Sequence, residues 1–363
     1  MPTRKLSEEL QSFLHKGTVI PAHPLALKAD RTLDEFRQRQ LTRYYINAGA
    51  GGVAVGVHST QFEIRDPKIN LYETVLRLAA DEVRTASLKH PFIKVAGICG
   101  PVEQALKEAD IAVKYGYDMG LLSMGGLKDL SEEAILERTR QVAAILPVFG
   151  FYLQPSVGGR IFSYDFWLAF ASIPNVQAIK VAAFNRYQTL DVVRAVCTSE
   201  RRNDIALYTG NDDNIIADLV STYQFTIKGK KVEKEFVGGL LGHWAVWTAK
   251  AVELLEEVKS CKANNYKGLS KLLMMNIEVT DMNAAIFDPA HAFHGCIPGI
   301  HEVLRRQGLL AGRWCLNEHE ELSAGQMEEI DRVYQSYPYM VDDSFVSGFL
   351  SSQKKTESVS EIK

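Results

Sequence analysis

With 363 residues, 46% of them hydrophobic and 23% charged, the chain is long and apolar enough for one large globular domain with an appendage around a substantial buried core. A formal net charge of −3, with no basic run longer than Lys228-Gly229-Lys230-Lys231, gives no electrostatic footprint for nucleic acid and points to a small-molecule partner. The five cysteines (Cys99, Cys197, Cys261, Cys296 and Cys315) are scattered, odd in number and without C-x-x-C spacing, which argues against a disulfide framework and for a reducing, cytoplasmic setting.

Met1 to Lys16 is polar and charged without the apolar core of a signal peptide, and nowhere do eighteen apolar residues run together, so a soluble protein is expected. From there short apolar runs alternate with longer amphipathic stretches. Thr18–Ala22, Gly52–Val57, Phe92–Ile98, Met119–Met124, Val148–Leu153, Val176–Val181, Ile205–Thr209 and Phe236–Leu241 read as strands. Between and after them, helical patterns cover Leu33–Asn47, Leu71–Lys89, Val102–Lys114, Glu132–Leu146, Tyr164–Ala171, Leu190–Val196, Asn214–Thr222 and Ala245–Lys259. In the second of these, Leu71, Val75, Leu78, Ala79 and Val83 mark one apolar face at helical spacing. Asn70 and Ser131 stand where helix caps belong, and Gly116 follows a helix as a C-terminal glycine should. Gly49-Ala50-Gly51-Gly52 has the look of a dinucleotide loop but precedes a strand, so it reads as a helix-to-strand turn. From Ala263 onward the pattern is helical without strands, through Lys267–Val279, Ile300–Gln307 and Ala324–Tyr337.

Strands that are continuously apolar, each followed by a helix, imply a parallel sheet covered by helices. Eight such units in succession predict an α/β fold, a closed (β/α)₈ TIM barrel over residues 1–260, with an open doubly wound sheet as the rival. Residues 261–350 are expected to form a C-terminal helical appendage, and the polar stretch 351–363 to be a frayed tail.

Chemistry in such a barrel gathers at the carboxyl ends of the strands. There the chain offers Gly56-Val57-His58-Ser59-Thr60, Phe151-Tyr152-Leu153-Gln154-Pro155, Lys180 and Thr209-Gly210-Asn211-Asp212. Lys180 ends the apolar segment Val176-Gln177-Ala178-Ile179-Lys180; a lysine buried there is neutral, paired or reactive, and an unprotonated amine attacks carbonyls. A solvated strand end or half of an ion pair is the ordinary alternative. Lys94, inside Phe92-Ile93-Lys94-Val95-Ala96, is the competitor, but it lies toward the amino end of its strand, where a paired structural lysine is expected.

This arrangement resembles the family of dihydrodipicolinate synthase and N-acetylneuraminate lyase, class I aldolase-type barrels acting on pyruvate and related 2-oxo acids. The resemblance rests on Val19-Ile20-Pro21-Ala22 with Leu25, on Tyr152-x-x-Pro155-Ser156, on Ile179-Lys180, on Thr209-Gly210-Asn211-Asp212, on Gly239-Leu240-Leu241-Gly242, and on Ile297-Pro298-Gly299 leading to Gly308-Leu309 and Arg313. It implies Lys180 as the Schiff-base nucleophile and Tyr152 as a proton relay beside it. The substrate carboxylate needs donors, for which Ser59, Thr60 and the amides around them are the candidates, since helix-facing turns concentrate free N–H groups, with His58, Gly210 and Leu241 as further substrate contacts; no external cofactor or metal is expected, and the resemblance implies a homo-oligomer, tetramer or dimer. The chain departs from the family pattern in three places. Gly56-Val57-His58-Ser59-Thr60 replaces Gly-Thr-Thr-Gly-Glu, strand four ends in Ser123-Met124-Gly125-Gly126 without a tyrosine, and Val157 stands where the synthase has an arginine. A related aldolase or lyase, or a dehydratase acting on a 2-oxo sugar acid, therefore fits better than the lysine-pathway synthase.

Other readings stay open beside it. Tyr152 alone would pack, its hydroxyl satisfied by backbone, and His58 could orient a loop as well as touch substrate. A metal-dependent barrel hydrolase would recruit His23, His58, His243 and Asp212, and His291, His294 and Cys296 have the look of a metal cluster, though neither set supplies convincing ligands. Asp212 and Asp213 suit a helix start after a glycine. A barrel that binds a 2-oxo acid without turning it over is the non-catalytic alternative.

Overall fold

Each apolar run becomes a strand in a computed structural model that describes residues 3–360. The strands are β1 Val19–Pro21, β2 Gly52–Val55, β3 Ile93–Ile98, β4 Met119–Leu122, β5 Val148–Leu153, β6 Val176–Ala182, β7 Ala206–Thr209, β8 Thr222–Ile227 and β9 Lys230–Leu241. Their order is β1-β9-β7-β6-β5-β4-β3-β2, every neighbouring pair parallel, with β8 attached to β9 alone. A bridge between Ala22 and Ala54, with the His23 amide donating to the Ala54 carbonyl at 2.8 Å, brings the two ends of the sheet together. The result is the expected (β/α)₈ barrel, and the open sheet is set aside. Burial on both faces is why the strands are continuously apolar rather than alternating.

The pleat sorts the strands' side chains into two layers. Phe149, Phe151, Leu153, Ala178, Ala182, Tyr208 and Leu240 belong to the barrel interior, whereas Val148, Tyr152, Ile179, Val181 and Leu241 pack outward against the helices. Phe149 is fully buried and meets the Tyr208 ring edge-on at 5.3 Å, burial that stabilises the barrel by about 1.5–3 kcal/mol. A helix that the sequence reading omitted, Glu8–Lys16, closes the end where the strands begin. Ser7 caps it, Leu14 is buried within the interior cluster, and the Leu14 carbonyl accepts from the Tyr208 hydroxyl at 2.8 Å. The opposite end is left for chemistry.

The second departure is the hairpin of β8 and β9. A helix was expected over Asn214–Thr222; it spans Ile215–Val220, after which the chain turns into β8. Positive φ at both Lys228 (48°) and Gly229 (75°) gives the turn the hand that suits twisted antiparallel strands. The expected strand Phe236–Leu241 is only the carboxyl half of β9. The antiparallel part is solvated and alternates exposed with half-buried residues, so a search for continuous apolar runs passes over it.

After the barrel come the helices Thr248–Ala263, Leu269–Phe287, Cys296–Arg306, Gln326–Ser336 and Asp343–Ser360. The second runs past its expected end at Val279 to Phe287, which carries that residue to the mouth of the barrel. The last takes the chain through most of the stretch expected to fray, and residues 361–363 lie outside the described residues. Among the described residues no helix is long and apolar enough to cross a membrane.

Candidate active site

Alternation along β6 turns Ala178, Lys180 and Ala182 toward the barrel interior and Ile179 and Val181 toward the helices. Lys180 is paired in register with Phe151 of β5, and its ammonium stands 4.4 Å from the centroid of that ring. Gly210, just beyond β7, makes the room. A Cβ there would meet Lys180 Cε at 2.5 Å and Ala182 Cβ at 2.9 Å, so the glycine is required by the lysine's path rather than by its own backbone.

Lys180 and Asp212 border one cavity of about 80 Å³ at the carboxyl ends of the strands. Counting one water per ~10–15 Å³, that volume holds about five to eight water-sized groups, the size of a small 2-oxo acid. Burial pulls the Lys180 pKa below its usual value, opposed by the Asp212 carboxylate. Burial pushes Asp212 up, opposed by Lys180 and by the His243 amide, which donates to Asp212 Oδ1 at 3.2 Å. Among the described residues no carboxylate lies within ion-pair distance of Lys180. The same environment thus shifts both groups toward their neutral forms, the forms a carbonyl addition uses.

The turn after β2 divides its three candidates. His58 lines the cavity, and burial, aided by the Lys180 charge, lowers its pKa to about 4, so the imidazole is neutral. Ser59 also lines it, its hydroxyl donating to the Ala22 carbonyl at 2.9 Å. Thr60 does not. Its hydroxyl accepts from the amides of Gly56 (3.0 Å) and Val57 (3.1 Å) and donates to the His23 carbonyl at 2.7 Å, three bonds spent on shaping the turn.

Two further residues expected in the site stand elsewhere. Tyr152 faces the helix layer, 5.0 Å from the Trp167 ring and 6.1 Å from Phe162, and burial raises its hydroxyl to about 12. The strand's period of two allows nothing else, since Phe149, Phe151 and Leu153 take the interior face and Phe151, not Tyr152, lies beside Lys180. Leu241 is outward for the same reason, and Gly242 takes its place at the cavity wall. Gly210 is where it was expected.

The histidines proposed as metal ligands are scattered. His23 is held by Thr42 Oγ1 at 2.9 Å and the Pro24 carbonyl at 2.8 Å, and His291 pairs with Asp288 at 2.6 Å in the loop before Cys296. Among the described residues no three His, Cys, Asp or Glu side chains gather in a metal-binding group. Lys94 faces outward near Gly116, toward the amino end of β3, as a structural lysine would. Phe151 belongs to the strand-five segment already singled out, but Phe184, Phe287 and Phe293, which join it around the lysine from the loop after β6 and the C-terminal region, carry no sequence motif. Asp212 is expected from sequence as a strand-end residue, a candidate metal ligand or a helix start, but not as a neighbour of Lys180. Its apposition to Lys180 depends on neighbouring strands, and no local pattern records that.

The chain is thus a (β/α)₈ barrel followed by a helical region. Known structures with this arrangement include dihydrodipicolinate synthase from Oceanobacillus iheyensis, at 17% identity and a TM-score of 0.70, covering 91% of this chain and 99% of that one. N-acetylneuraminate lyase from Fusobacterium nucleatum is similar at 16% identity and a TM-score of 0.67, covering 89% and 99%. A chloride-inhibited dihydrodipicolinate synthase from Acinetobacter baumannii, solved with pyruvate, is similar at 15% identity and a TM-score of 0.69, covering 88% and 98%. The chain matches no family model and no curated protein. These likenesses establish the shared fold, in line with the resemblance read from the motifs.

Proposed function

We propose that the protein is a class I aldolase-type lyase acting on pyruvate or a related 2-oxo acid, with Lys180 as the Schiff-base amine. The observation that carries the reading is Lys180 itself: buried at the carboxyl end of β6, out of ion-pair reach of any described carboxylate, and shifted toward its neutral form by burial. The neutral amine adds to the keto carbon, the carbinolamine loses water, and the resulting iminium draws electrons from the adjacent carbon, whose proton leaves to give an enamine. Asp212, the carboxyl that borders the same cavity, takes the relay role first given to Tyr152: it gives a proton to the departing hydroxyl and accepts the one from carbon. The amine supplies the electron sink, so the reading requires no cofactor.

His58 and Ser59 are the groups on the β2 side that would face the substrate carboxylate. Val157 lines the cavity, and no arginine does, which favours a related aldolase over the lysine-pathway synthase. Assembly as a homo-oligomer and a cytoplasmic location follow from the resemblance and the cysteine pattern and are proposed on that basis. The test is borohydride reduction with pyruvate, followed by peptide mass mapping. An adduct on the peptide holding Lys180, absent from Lys180→Ala, is the expected result; labelling only at Lys94, or none, overturns the reading.

A further inference from the structure

Resting on that reading, we infer that the carbon–carbon bond is made to, or broken from, an aldehyde carrying an apolar aromatic ring, seated in a second cavity beside the lysine. That cavity, of about 90 Å³, shares Asp212, Phe184, Phe287 and Phe293 with the first. The two therefore meet at a carboxyl and three phenylalanines. Phe184 and Phe293 touch edge to face, ring centroids 5.8 Å apart, at the boundary.

The second cavity has no cation in its wall, so it holds no partner for a carboxylate or phosphate. Its neutral donors are already spent on the fold, and Asn283 Oδ1 is left as an acceptor beside the Asp212 and Asp213 carboxyls. Thr280 donates to the Asp213 and Asn276 carbonyls at 2.9 and 2.8 Å, and the Asn283 amide donates to the Asp212 carbonyl at 2.6 Å. A hydroxylated sugar aldehyde placed there would find acceptors only on the side of Asp212, Asp213 and Asn283 and would set its remaining hydroxyls against Phe184, Phe287, Pro289 and Phe293, whereas an aromatic ring gains edge-to-face contacts with those phenylalanines.

Phe293 is held in position by a built loop. Asp288 accepts from the Gly295 amide at 3.1 Å, from His291 and from the Ser323 hydroxyl, and Asp288, Ala292 and Phe293 all adopt positive φ. Non-glycine residues keep that conformation only where their surroundings impose it.

In the forward direction the enamine carbon attacks the aldehyde carbonyl carbon, and the carbonyl oxygen takes the proton that Asp212 had removed from the 2-oxo acid. Water then hydrolyses the iminium, releasing a 4-aryl-4-hydroxy-2-oxo acid and returning the amine. Cleavage is the reverse, and proton and electron counts close in both directions.

The experiment follows pyruvate consumption by the full-length protein with benzaldehyde or glyceraldehyde, after borohydride trapping with pyruvate alone has tested the Schiff base. The expected result is kcat/KM at least tenfold higher for benzaldehyde, with a tenfold or greater loss in Ala284→Trp, which fills the second cavity from an exposed helix position. A normal melting curve for that variant separates blockage from misfolding, and Phe293→Ala, with a raised KM for benzaldehyde, gives an independent reading. Trapping without any preference for the aromatic aldehyde overturns this inference alone. Absence of trapping overturns the Schiff-base reading beneath it.

Discussion

Replacing Gly210 by alanine adds one methyl group at the point where the lysine passes β7. The new Cβ would lie 2.5 Å from Lys180 Cε, 3.0 Å from Lys180 Cγ and 2.9 Å from Ala182 Cβ. These contacts relax by different routes. The lysine end swings away cheaply, but Ala182 Cβ is fixed to β6 and yields only if a strand shifts, an overpacking that costs about 1–3 kcal/mol. The larger effect is kinetic. An amine displaced by about 1 Å from its line of attack loses on the order of 10²-fold in rate. The assay is the rate of borohydride-trapped adduct formation at saturating pyruvate, with stability followed by denaturant unfolding. Gly210→Ala trapping pyruvate at the wild-type rate would show that the lysine reaches the keto group by another path, and the account of the site built on Gly210 would fail.

Asp212→Asn should lower turnover by about 10²–10⁴-fold, as loss of a general acid–base does. It should also move the pH dependence of trapping: the Asp212 charge raises the Lys180 pKa against burial, so its removal lets that pKa fall further, and the rising limb of the rate profile shifts to lower pH. A limb that stays in place or moves up would mean that the two groups do not share one field. Thr60→Val should leave trapping per folded molecule unchanged while lowering stability by about 1–3 kcal/mol, because the Gly56 and Val57 amides and the His23 carbonyl lose their common partner. Thermal melting beside the trapping assay checks both halves. Tyr152→Phe should keep turnover within about twofold, since deleting a hydroxyl that lies outside the cavity removes no transition-state contact; a loss of 10²-fold or more would return the relay role to that hydroxyl.

Tyr152 shows where reading from sequence stops. The barrel was legible because a strand buried on both faces must be apolar throughout, a constraint visible one residue at a time from Val148 to Leu153. That same uniformity hides which residues face inward: in an alternating strand polarity labels the faces, whereas Phe149 through Leu153 gives no label, and a tyrosine in a familiar motif is as acceptable outside as inside. Lys180 was assignable because its charge breaks the uniformity, and a charge between two apolar layers is tolerated only toward a strand end, Lys94 at the amino end of β3 and Lys180 toward the mouth. Gly210 followed from its place at the end of β7, though its reason, the 2.5 Å approach to Lys180, is a contact between strands.

The phenylalanines were out of reach for a different cause. Phe287 and Phe293 belong to a region more than a hundred residues beyond Lys180, and an apolar residue at the end of an amphipathic helix carries no mark of whether it covers its own domain or a neighbouring active site. This division has a functional consequence. The strand ends supply Lys180 and Asp212, to which the proposed carbonyl chemistry is assigned, and these depart from uniform burial in ways a sequence displays. The loop after β6 and the C-terminal region supply the walls inferred to choose the second reactant, built from residues indistinguishable in type from core. On that reading, reaction class is the more legible property of such a barrel, and specificity becomes arguable only when Phe184 and Phe293 are seen in contact in the cavity that Asp212 also lines.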